Sequence, residues 1–477
     1  MRRHTKIIAT LGPSVATEDA ILAMVEAGMD VARLNFSHGG HDLHRSFAKW
    51  VRSAAAESGR SVALLQDIQG PKLRVGAFPG GRISLARGAE VKLVPEDGQG
   101  GPDVIPCGYA GLLEDVSEGH EVVLADGMIR LLVQGRGDDH LMASVLTGGE
   151  LGDHKGVAFP DSELSLANVT AKDELDLEFG RELEVDFVAA SFVRSGADIE
   201  SVAALAGEAP VIAKVELAQA YNNLDDILDK AFGVMVARGD LGVQLPLERL
   251  PLIQTDMLNR TNAAGAISIT ATEMLESMTH SPRPTRAEVT DVSYAVQTGT
   301  DAVMLSGETA VGDYPIESIR AMAAICTTVE EGTLSSREDD SVPFVGDRNR
   351  VASAVAHAAK QVAINVGAKR IVAFTESGNT ARLISKYRPE AEVVAFSPNP
   401  VTRNRMALFW GIEPHDFERE TYTDHEIASA AAILKKEGLV HQGDTIVMVA
   451  GVPPNVKAST NLLKVHVVGE LSGGLGS

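Results

Sequence analysis

The stretch VIAKVELAQAYNNLDDILDKAFGVMVARGD, residues 211–240, holds two short valine-rich runs with a polar, helix-like segment between them. Short runs of β-branched residues are typical of buried strands, and the segment between them can form one helix and two loops. The same alternation recurs through the first 310 residues. Eight runs predict eight strands: TKIIATLG from Thr5, VARLNFS from Val31, ALLQDI from Ala63, DFVAASFV from Asp186, VIAKVEL from Val211, VMVARGD from Val234, AISITATE from Ala266 and DAVMLSGET from Asp301.

The spacing of these runs is typical of an α/β fold built from repeated strand–helix units. Apart from one gap after the third run, their starts lie 23 to 35 residues apart. Eight strand–helix units of that length predict a (β/α)8 TIM barrel, in which parallel strands close into a cylinder surrounded by helices. An open, doubly wound sheet is the alternative that the pattern leaves open.

The gap between the third and fourth runs has the composition of a separate all-β segment. From residue 71 to residue 156, 17 of 86 residues are glycine, against 45 of 477 in the whole chain. The runs EVKLVP, HEVVLAD and MIRLLVQG within it are short and strand-like. Because loops after barrel strands accept insertions, we expect a small β-barrel lid domain at 71–156 inside a catalytic barrel of 1–70 and 157–335.

The remainder of the chain predicts a further α/β domain. Residues 331–350 are polar and poorly periodic, as in a linker. Beyond them the runs KRIVAFT, EVVAFS, DTIVMVA and LKVHVV alternate with helical patterns. We therefore expect a C-terminal α/β domain at 345–477.

Composition excludes several function classes. The formal charge of −22 disfavours general binding to nucleic acid or to anionic membranes, since phosphate groups repel it. We find no apolar run of membrane-spanning length, and the apolar run near the N-terminus is too short for a signal peptide. Cys107 and Cys326 lie too far apart in sequence to suggest a disulfide framework or zinc cluster. We expect a soluble, cytoplasmic protein.

Polar residues at the end of the second run indicate a functional site. Arg33, Asn35 and Ser37 alternate with Leu34 and Phe36, so the three polar side chains share one strand face. Barrel enzymes build their active sites at the carboxyl ends of the strands. The alternative is a solvated strand edge.

Charged residues end the fifth and sixth runs. Lys214 and Glu216 point the same way within an otherwise apolar run, and burying either charge alone would be costly. Asp240 ends the next run, so two carboxylates lie on neighbouring strand ends. Such a pair suits a hard cation such as Mg²⁺, which commonly takes one or two carboxylates plus substrate oxygens. A structural ion pair between Lys214 and Glu216 is the alternative.

The composite is an acidic barrel with a metal-binding rim and a lid. The seventh run adds the hydroxyl of Thr272 to this rim. His38, His41 and His44 raise a histidine metal site as a hypothesis, although surface or ligand-contact roles are more usual for such residues. Together these features favour metal-assisted chemistry on a small phosphorylated or carboxylated substrate.

These segments closely resemble the motifs of pyruvate kinases. The matching motifs are MDVARLNFSHG, LLQDIQGPKLR, the KGV at Lys155, VIAKVE, VMVARGDLGV, ATEMLESM, PRPTRAEVTDVSYAV and TGTDAVMLSGETAVGDYP. The resemblance implies transfer of the phosphoryl group of phosphoenolpyruvate to ADP, giving pyruvate and ATP, the last step of glycolysis. It also implies a divalent cofactor, Mg²⁺ or Mn²⁺, and a homotetramer.

The resemblance assigns roles to the substrate side of the site. Lys214 matches the lysine that stabilises the transferring phosphoryl group and the enolate. Glu216 and Asp240 match the divalent-metal ligands. Thr272, with the backbone of Gly239 and Asp240, matches the group that holds the substrate carboxylate.

The remaining matches concern phosphate, nucleotide and monovalent cation. Arg33 matches the phosphate-binding arginine, and the nucleotide side consists of Thr10, Pro13, Asn35, His38, Arg74 and Lys155. Asn35, Ser37 and Asp67 match a monovalent-cation pocket. Lys72 replaces the glutamate of potassium-dependent members, as in the subclass whose lysine ammonium stands in for the cation. We therefore expect potassium not to be required.

Two departures from the family pattern stand out. Glu273 replaces the usual glutamine of ATQMLESM, and we expect it to point away from the anionic substrate or to be paired. TESGNTARLISKYRP resembles the effector phosphate loop, so Ser377, Gly378 and Thr380 would bind a phosphorylated allosteric activator. The segment VPPNVKASTN lacks the glycine-rich form found where fructose 1,6-bisphosphate binds.

Two other functions remain to be separated from this one. A catalytically silent relative would be expected to lack one or more of Lys214, Glu216, Asp240 and Thr272, all of which are present. A barrel lyase or aldolase acting on oxo-acids also uses a magnesium carboxylate pair, but it would not need a lid over a nucleotide.

Overall fold

The computed structural model describes residues 3–334, 350–418, 422–451 and 460–470. The chain divides into two compact units, one of Met1–Gln66, Leu183–Phe187 and Leu258–Ser477 and the other of Asp67–Glu182 and Val188–Met257. Within the described ranges, no helix combines the length and the apolar character needed to cross a membrane.

The first three predicted strands are confirmed as β1 (Lys6–Leu11), β2 (Val31–Asn35) and β3 (Ala63–Asp67). Helices α1 (Glu18–Ala27) and α2 (His41–Ser58) connect them, and a 3-10 turn covers Pro13–Val15. The strands are buried almost throughout, as expected for barrel strands covered on both faces. The Thr17 hydroxyl caps α1 by accepting the N–H of Ala20.

The glycine-rich insertion folds as β-structure with its own core. Its elements are β4 (Arg82–Leu85), β5 (Glu90–Val94), β6 (Val104–Pro106), α3 (Leu112–Asp115), β7 (Glu121–Leu124), β8 (Ile129–Arg136), β9 (Leu141–Thr147), β10 (Gly149–Gly152) and β11 (Val157–Ala158), with a 3-10 turn at Pro79–Gly81. These strands form a six-stranded sheet, β11-β7-β8-β9-β5-β6, and a separate β10-β4 pair. The predicted small β domain is thus built from two sheets. They share one apolar core, which includes Ile83 and Leu151 from the pair and Leu131 from the larger sheet.

Five further strands complete the barrel. They are β12 (Phe187–Ala190), β13 (Val211–Val215), β14 (Gly233–Ala237), β15 (Ile267–Ala271) and β16 (Ala302–Leu305). The helices are α4 (Ala171–Glu182), α5 (Gly196–Ala206), α6 (Ala218–Asn222), α7 (Leu224–Lys230), α8 (Arg238–Gln244), α9 (Leu250–Ala263), α10 (Arg286–Gln297), α11 (Gly307–Ala310) and α12 (Pro315–Leu334), with 3-10 turns at Leu247–Arg249 and Glu276–Thr279. The strand order β1-β16-β15-β14-β13-β12-β3-β2 closes on itself. The predicted barrel is confirmed, and the open sheet is excluded.

The C-terminal segment is the predicted α/β fold. It contains α13 (Arg350–Asn365), β17 (Arg370–Phe374), α14 (Asn379–Lys386), β18 (Glu392–Ser397), α15 (Pro400–Met406), β19 (Ile412–Asp416), α16 (Thr423–Lys436), β20 (Thr445–Ala450) and β21 (Leu462–Val467). The sheet order is β19-β18-β17-β20-β21, with β21 antiparallel to β20.

Two features of this segment differ from the sequence prediction. Strand β19 was not predicted, because Pro414 and charged residues interrupt its apolar pattern. Proline is tolerated there because β19 is the edge strand, paired on one side only with β18. The predicted linker also begins later than residue 331, since α12 continues to Leu334. The rest of that linker lies outside the described residues, and the three-domain bounds stay a prediction.

A buried ion cluster joins the C-terminal segment to a barrel strand. Asp301, just before β16, and Lys386, at the end of α14, are both fully buried and form an ion pair. Arg388 Nη2 lies 2.8 Å from Asp301 Oδ1. Burial lowers the pKa of Lys386 to about 8. Although burial alone would raise the pKa of Asp301, the charges of Lys386 and Arg388 hold it below its usual value.

Asp301→Asn is expected to destabilise the fold strongly. The substitution leaves the Lys386 ammonium buried without its counter-charge, which typically costs about 3–5 kcal/mol. Denaturant unfolding measures the loss. Glu150→Gln is the control, because the Arg82–Glu150 pair is 73% and 60% exposed and exposed pairs contribute at most about 1 kcal/mol. Equal unfolding free energies for the two variants would contradict this account.

Candidate active site

The candidate residues follow the carboxyl ends of barrel strands. Asp67 ends β3, Lys214 lies in β13 with Glu216 just after it, and Asp240 lies in the first turn of α8 after β14. The last position corrects the expectation that Asp240 ends a strand, since β14 stops at Ala237 and a helix begins at once. Asp67, Lys214 and Glu216 are joined by ion pairs, and Asp240 lines the same cleft as Glu216.

Lys214 is the centre of this cluster. Its Nζ lies 3.2 Å from Asp67 Oδ1 and 2.9 Å from Glu216 Oε1, and its side chain is only 12% exposed. Nζ also donates a hydrogen bond to Ser191 Oγ at 2.7 Å. An ammonium has three hydrogens, and Lys214 has three partners for them, Asp67, Glu216 and Ser191. These three contacts fix the position of the Lys214 ammonium.

Glu216 is held on both carboxylate oxygens. While Oε1 meets Lys214, Oε2 accepts the backbone N–H of Phe192 at 2.7 Å. Phe192 has φ +53°, a left-handed conformation that is uncommon for a bulky residue and is often found at functional sites. Burial raises the pKa of Glu216, and the nearby charge of Asp240 raises it further, against the lowering effect of Lys214. A cation bound here would relieve this cost.

Asp240 is the more open of the two carboxylates, with 35% of its side chain exposed. Its Oδ1 lies 3.5 Å from Nζ of Lys72, which also lies 6.0 Å from the centre of the Phe192 ring. Asp67 is buried and pairs with Lys214, whereas Lys72 pairs with the partly exposed Asp240. The predicted place of Lys72 in a pocket with Asp67 stays a prediction.

The cluster opens into a cleft of about 430 Å³ lined by Lys72, Glu216 and Asp240. An adjoining, more apolar cleft of about 650 Å³ shares the Phe192 lining. The cleft wall thus carries two carboxylates, the buried Glu216 and the partly exposed Asp240. Such a pair fits a hard divalent cation that keeps further coordination positions for water or substrate. No group of three or more potential His, Cys, Asp or Glu ligands occurs among the described residues, so a cage made of protein alone is not present there.

A second set of predicted residues lies near the carboxyl ends of β1 and β2. Arg33 is buried and its Nη1 donates to Thr10 Oγ1 at 2.9 Å. Asn35 Oδ1 accepts the N–H of Ser37 at 3.1 Å, and Ser37 lies in the turn beyond β2. Arg33 and Asn35 alternate with the buried Leu34 within β2, but the strand ends at Asn35. The prediction that Ser37 shares their strand face is therefore corrected, because Ser37 lies outside the strand.

Pro13 and the histidines lie on the neighbouring loops. Pro13 is exposed and starts the 3-10 turn after Gly12. A Cβ on Gly12 would lie 2.3 Å from the carbonyl oxygen of Ala310. His38 is exposed, while His44 is buried, contacts the carbonyl oxygen of His38 at 3.0 Å and stacks on a phenylalanine ring. This arrangement supports no histidine metal site among the described residues.

Thr272 follows β15 in a strained conformation. Its φ is +66°, rare for a β-branched residue, and its hydroxyl donates to the carbonyl oxygen of Ala271 at 2.7 Å. Glu273 is exposed, also has a positive φ of +53°, and contributes through its charge to a raised pKa of Glu276, after burial and Glu308. Strain at consecutive residues after a barrel strand is typical of a functional loop.

Of the remaining predicted residues, Arg74 and Lys155 are exposed and Gly239 is partly buried. Arg74 donates to the carbonyl oxygen of His154 at 2.9 Å, next to the exposed Lys155, and Gly239 lies in the first turn of α8.

In the candidate effector loop, Gly378 precedes α14 with φ +82°, and Ser377 is exposed beside it. Thr380 Oγ1 lies 2.7 Å from Thr460 Oγ1. Residues 452–459 of the segment VPPNVKASTN lie outside the described residues.

Sequence reasoning missed Ser191 and Phe192. Both lie in the quoted run DFVAASFV, where a serine after four buried residues was the available signal. Phe192 gave none, because its contribution is a backbone N–H.

A closed parallel barrel that carries an ammonium and two carboxylates at its strand ends, with an inserted β segment, defines a class of (β/α)8-barrel enzymes. Family models described as "Pyruvate kinase, barrel domain" and "Pyruvate kinase, alpha/beta domain" match residues 2–319 and 353–466. The chain belongs to the pyruvate kinase family.

Individual relatives agree with this assignment. The chain is 41% identical to pyruvate kinase of Geobacillus stearothermophilus over 99% of its own length and 81% of the relative. It is 40% identical to pyruvate kinase of Staphylococcus saprophyticus, with 99% and 82% covered. A crystal structure of a pyruvate kinase from Cryptosporidium parvum matches with a TM-score of 0.89 and 35% identity, covering 98% of this chain and 96% of that one.

Proposed function

We propose that this chain transfers the phosphoryl group of phosphoenolpyruvate to ADP, giving pyruvate and ATP, at the cluster around Lys214. The observation that carries the proposal is the Lys214 ammonium held beside Glu216, next to the cleft that Glu216 and Asp240 line. In phosphoryl transfer the protein mainly positions the groups and offsets negative charge in the transition state. A buried, tightly held ammonium suits that task.

The divalent metal of the family fits Glu216 and Asp240. The buried carboxylate and its neighbour repel each other, as the raised pKa of Glu216 indicates after the effect of burial. Mg²⁺ or Mn²⁺ would be held by these two side chains, and when bound it would neutralise charge on phosphate and carboxylate oxygens. Lys214 keeps Glu216 oriented through its contact with Oε1, and Phe192 does so through Oε2.

Substrate contacts are assigned to the residues at neighbouring strand ends. Thr272, with the backbone of Gly239 and Asp240, holds the carboxylate of phosphoenolpyruvate, and Arg33 binds its phosphate. The bond from Arg33 to Thr10 supports a fixed direction for the guanidinium. The nucleotide contacts are Thr10, Pro13, Asn35, His38, Arg74 and Lys155.

The broader biological assignments rest on family membership. The enzyme acts in the cytoplasm, as a homotetramer, with residues 71–156 closing as a lid over the nucleotide. A phosphorylated activator binds at Ser377, Gly378 and Thr380, whose loop contains the left-handed Gly378. Glu273 stays clear of the substrate, in keeping with its exposure.

Lys72 takes the place of potassium, and substantial activity is expected in buffer free of potassium and sodium. Its compact positive charge at the cleft, 3.5 Å from Asp240, disfavours a second monovalent cation. Lys72→Glu is expected to gain a potassium requirement, measured as initial rate against potassium concentration. Asn35, Ser37 and Asp67 would complete the pocket for that cation.

Lys92→Glu is the matched control for Lys72→Glu. It makes the same charge change at an exposed position of β5 and is expected to stay independent of potassium. Activation of the unmodified protein by potassium of about tenfold or more, equivalent to about 1.4 kcal/mol, would contradict the assignment of Lys72.

A coupled assay for pyruvate, with and without ADP and with and without magnesium, tests the proposed function. We expect pyruvate release only when phosphoenolpyruvate, ADP and magnesium are all present. Release without ADP would indicate hydrolysis of the phosphate ester in place of transfer to ADP, and no release under any condition would leave a barrel lyase with another substrate or a catalytically silent relative.

A further inference from the structure

Ser191 occupies a position between Lys214 and the loop that follows β3. It comes directly after β12 and is 3% exposed. Its Oγ lies 2.7 Å from Lys214 Nζ and 2.7 Å from the carbonyl oxygen of Ile68. The carboxylate of Asp67 is 3.5 Å away. One buried hydroxyl therefore joins the catalytic lysine to the segment that carries Asp67.

The direction of these two hydrogen bonds is fixed by chemistry. An ammonium can only donate and a carbonyl oxygen can only accept, whereas a hydroxyl has one hydrogen and can do both. Lys214 therefore donates to Ser191, and Ser191 donates to Ile68. Linked hydrogen bonds of this kind strengthen one another in a buried setting.

The Ser191 hydroxyl has little freedom to move. The N–H of Ile68 donates to the carbonyl oxygen of Ala189 at 3.1 Å, which ties the loop to β12. Gly70 has φ +65°, and a Cβ there would lie 3.0 Å from both Cβ and the carbonyl oxygen of Ser191. The loop can approach this closely only because residue 70 is glycine.

We propose that Ser191 is a positioning residue for phosphoryl transfer, because its hydroxyl aims the Lys214 ammonium. Lysine has a flexible four-carbon stem, and its charge must be placed accurately to act on a transition state. Asp67 and Glu216 alone would hold the ammonium by charge, and Ser191 supplies a neutral, directional third contact. The proposal rests on the role assigned to Lys214.

Ser191→Ala is expected to lower kcat about ten- to a hundredfold, within the range that a 1 Å misplacement of a catalytic group can cost. The KM for phosphoenolpyruvate should change little. Ser191→Cys should resemble the alanine variant, because a thiol of similar shape is a weak hydrogen-bond partner.

Ser385→Ala controls for the loss of a buried hydroxyl. Ser385 is fully buried and donates to the carbonyl oxygen of Arg382 at 2.8 Å. It is expected to lower the melting temperature about as much as Ser191→Ala does, without lowering kcat. Full kcat in either Ser191 variant, or an effect on KM alone, would overturn the proposal.

A double-mutant cycle with Lys214→Met separates positioning from a general structural effect. If Ser191 acts through Lys214, adding Ser191→Ala to Lys214→Met should lower kcat no further. If the double variant instead lost kcat by the product of the two single fold-losses, the positioning role would be overturned while the proposed function stayed intact. A Lys214→Met protein as active as the unmodified one would overturn the role of Lys214 and this proposal with it.

Discussion

Replacing Lys214 with methionine is expected to lower kcat about a hundred- to a thousandfold, the scale measured for removing one donor to transition-state charge. The Lys214 side chain is only 12% exposed, and its ammonium is held by ion pairs with Asp67 and Glu216. Water therefore cannot readily replace it. Because its main interaction is with charge that develops during transfer, the KM for phosphoenolpyruvate should change much less. Steady-state kinetics at saturating magnesium and ADP give both parameters.

Lys214→Arg provides the comparison for this variant. It keeps the positive charge that Asp67 and Glu216 need but changes its geometry, so it should fold well and recover only part of kcat. Thermal unfolding of both variants checks that the barrel is intact. A Lys214→Met protein with normal kcat and only a raised KM would show that Lys214 merely binds substrate.

Asp240→Ala is expected to reduce activity about a hundredfold or more, on the scale of losing a group that stabilises transition-state charge. Asp240 is the exposed half of the carboxylate pair and is close enough to Glu216 to raise its pKa. Removing it leaves a single carboxylate for the cation, so the binding of Mn²⁺, measured directly by calorimetry without substrate, should weaken. The barrel should stay folded, since Asp240 is 35% exposed.

Asp256→Ala is the control for this change. Asp256 lies on α9 of the same unit and accepts a hydrogen bond from the hydroxyl of Tyr221 at 3.1 Å, outside the cleft. It should leave both Mn²⁺ affinity and rate unchanged. Near-full activity of Asp240→Ala at low magnesium would mean that the metal site is elsewhere.

The barrel could be predicted because each of its strands is marked by a short stretch of its own sequence. A buried parallel strand needs a short β-branched run, and the chain length of one helix and two loops sets the distance to the next. The edge strand Ile412–Asp416 escaped this reasoning because partial exposure there tolerates Pro414 and charged residues. Its place in the sheet depends on pairing with β18 and not on its own composition.

The site could be predicted only as far as its side chains interrupt apolar runs. Lys214 in β13 and Glu216 just after it stood out for this reason. The pairing of Lys72 with Asp240 could not be read from sequence, because the two residues are 168 positions apart and only the fold brings them together. The contribution of Phe192 is a backbone N–H in a left-handed conformation, which its side-chain identity does not reveal.

Phosphorus NMR of the reaction mixture tests the central claim most directly. With phosphoenolpyruvate, ADP and magnesium, the phosphorus signal of phosphoenolpyruvate should disappear as that of the γ-phosphate of ATP grows in equal amount. Under the same conditions the Lys214→Met protein should show neither change on that time scale. Loss of phosphoenolpyruvate with inorganic phosphate in place of ATP, or equal transfer by the Lys214→Met protein, would contradict the account.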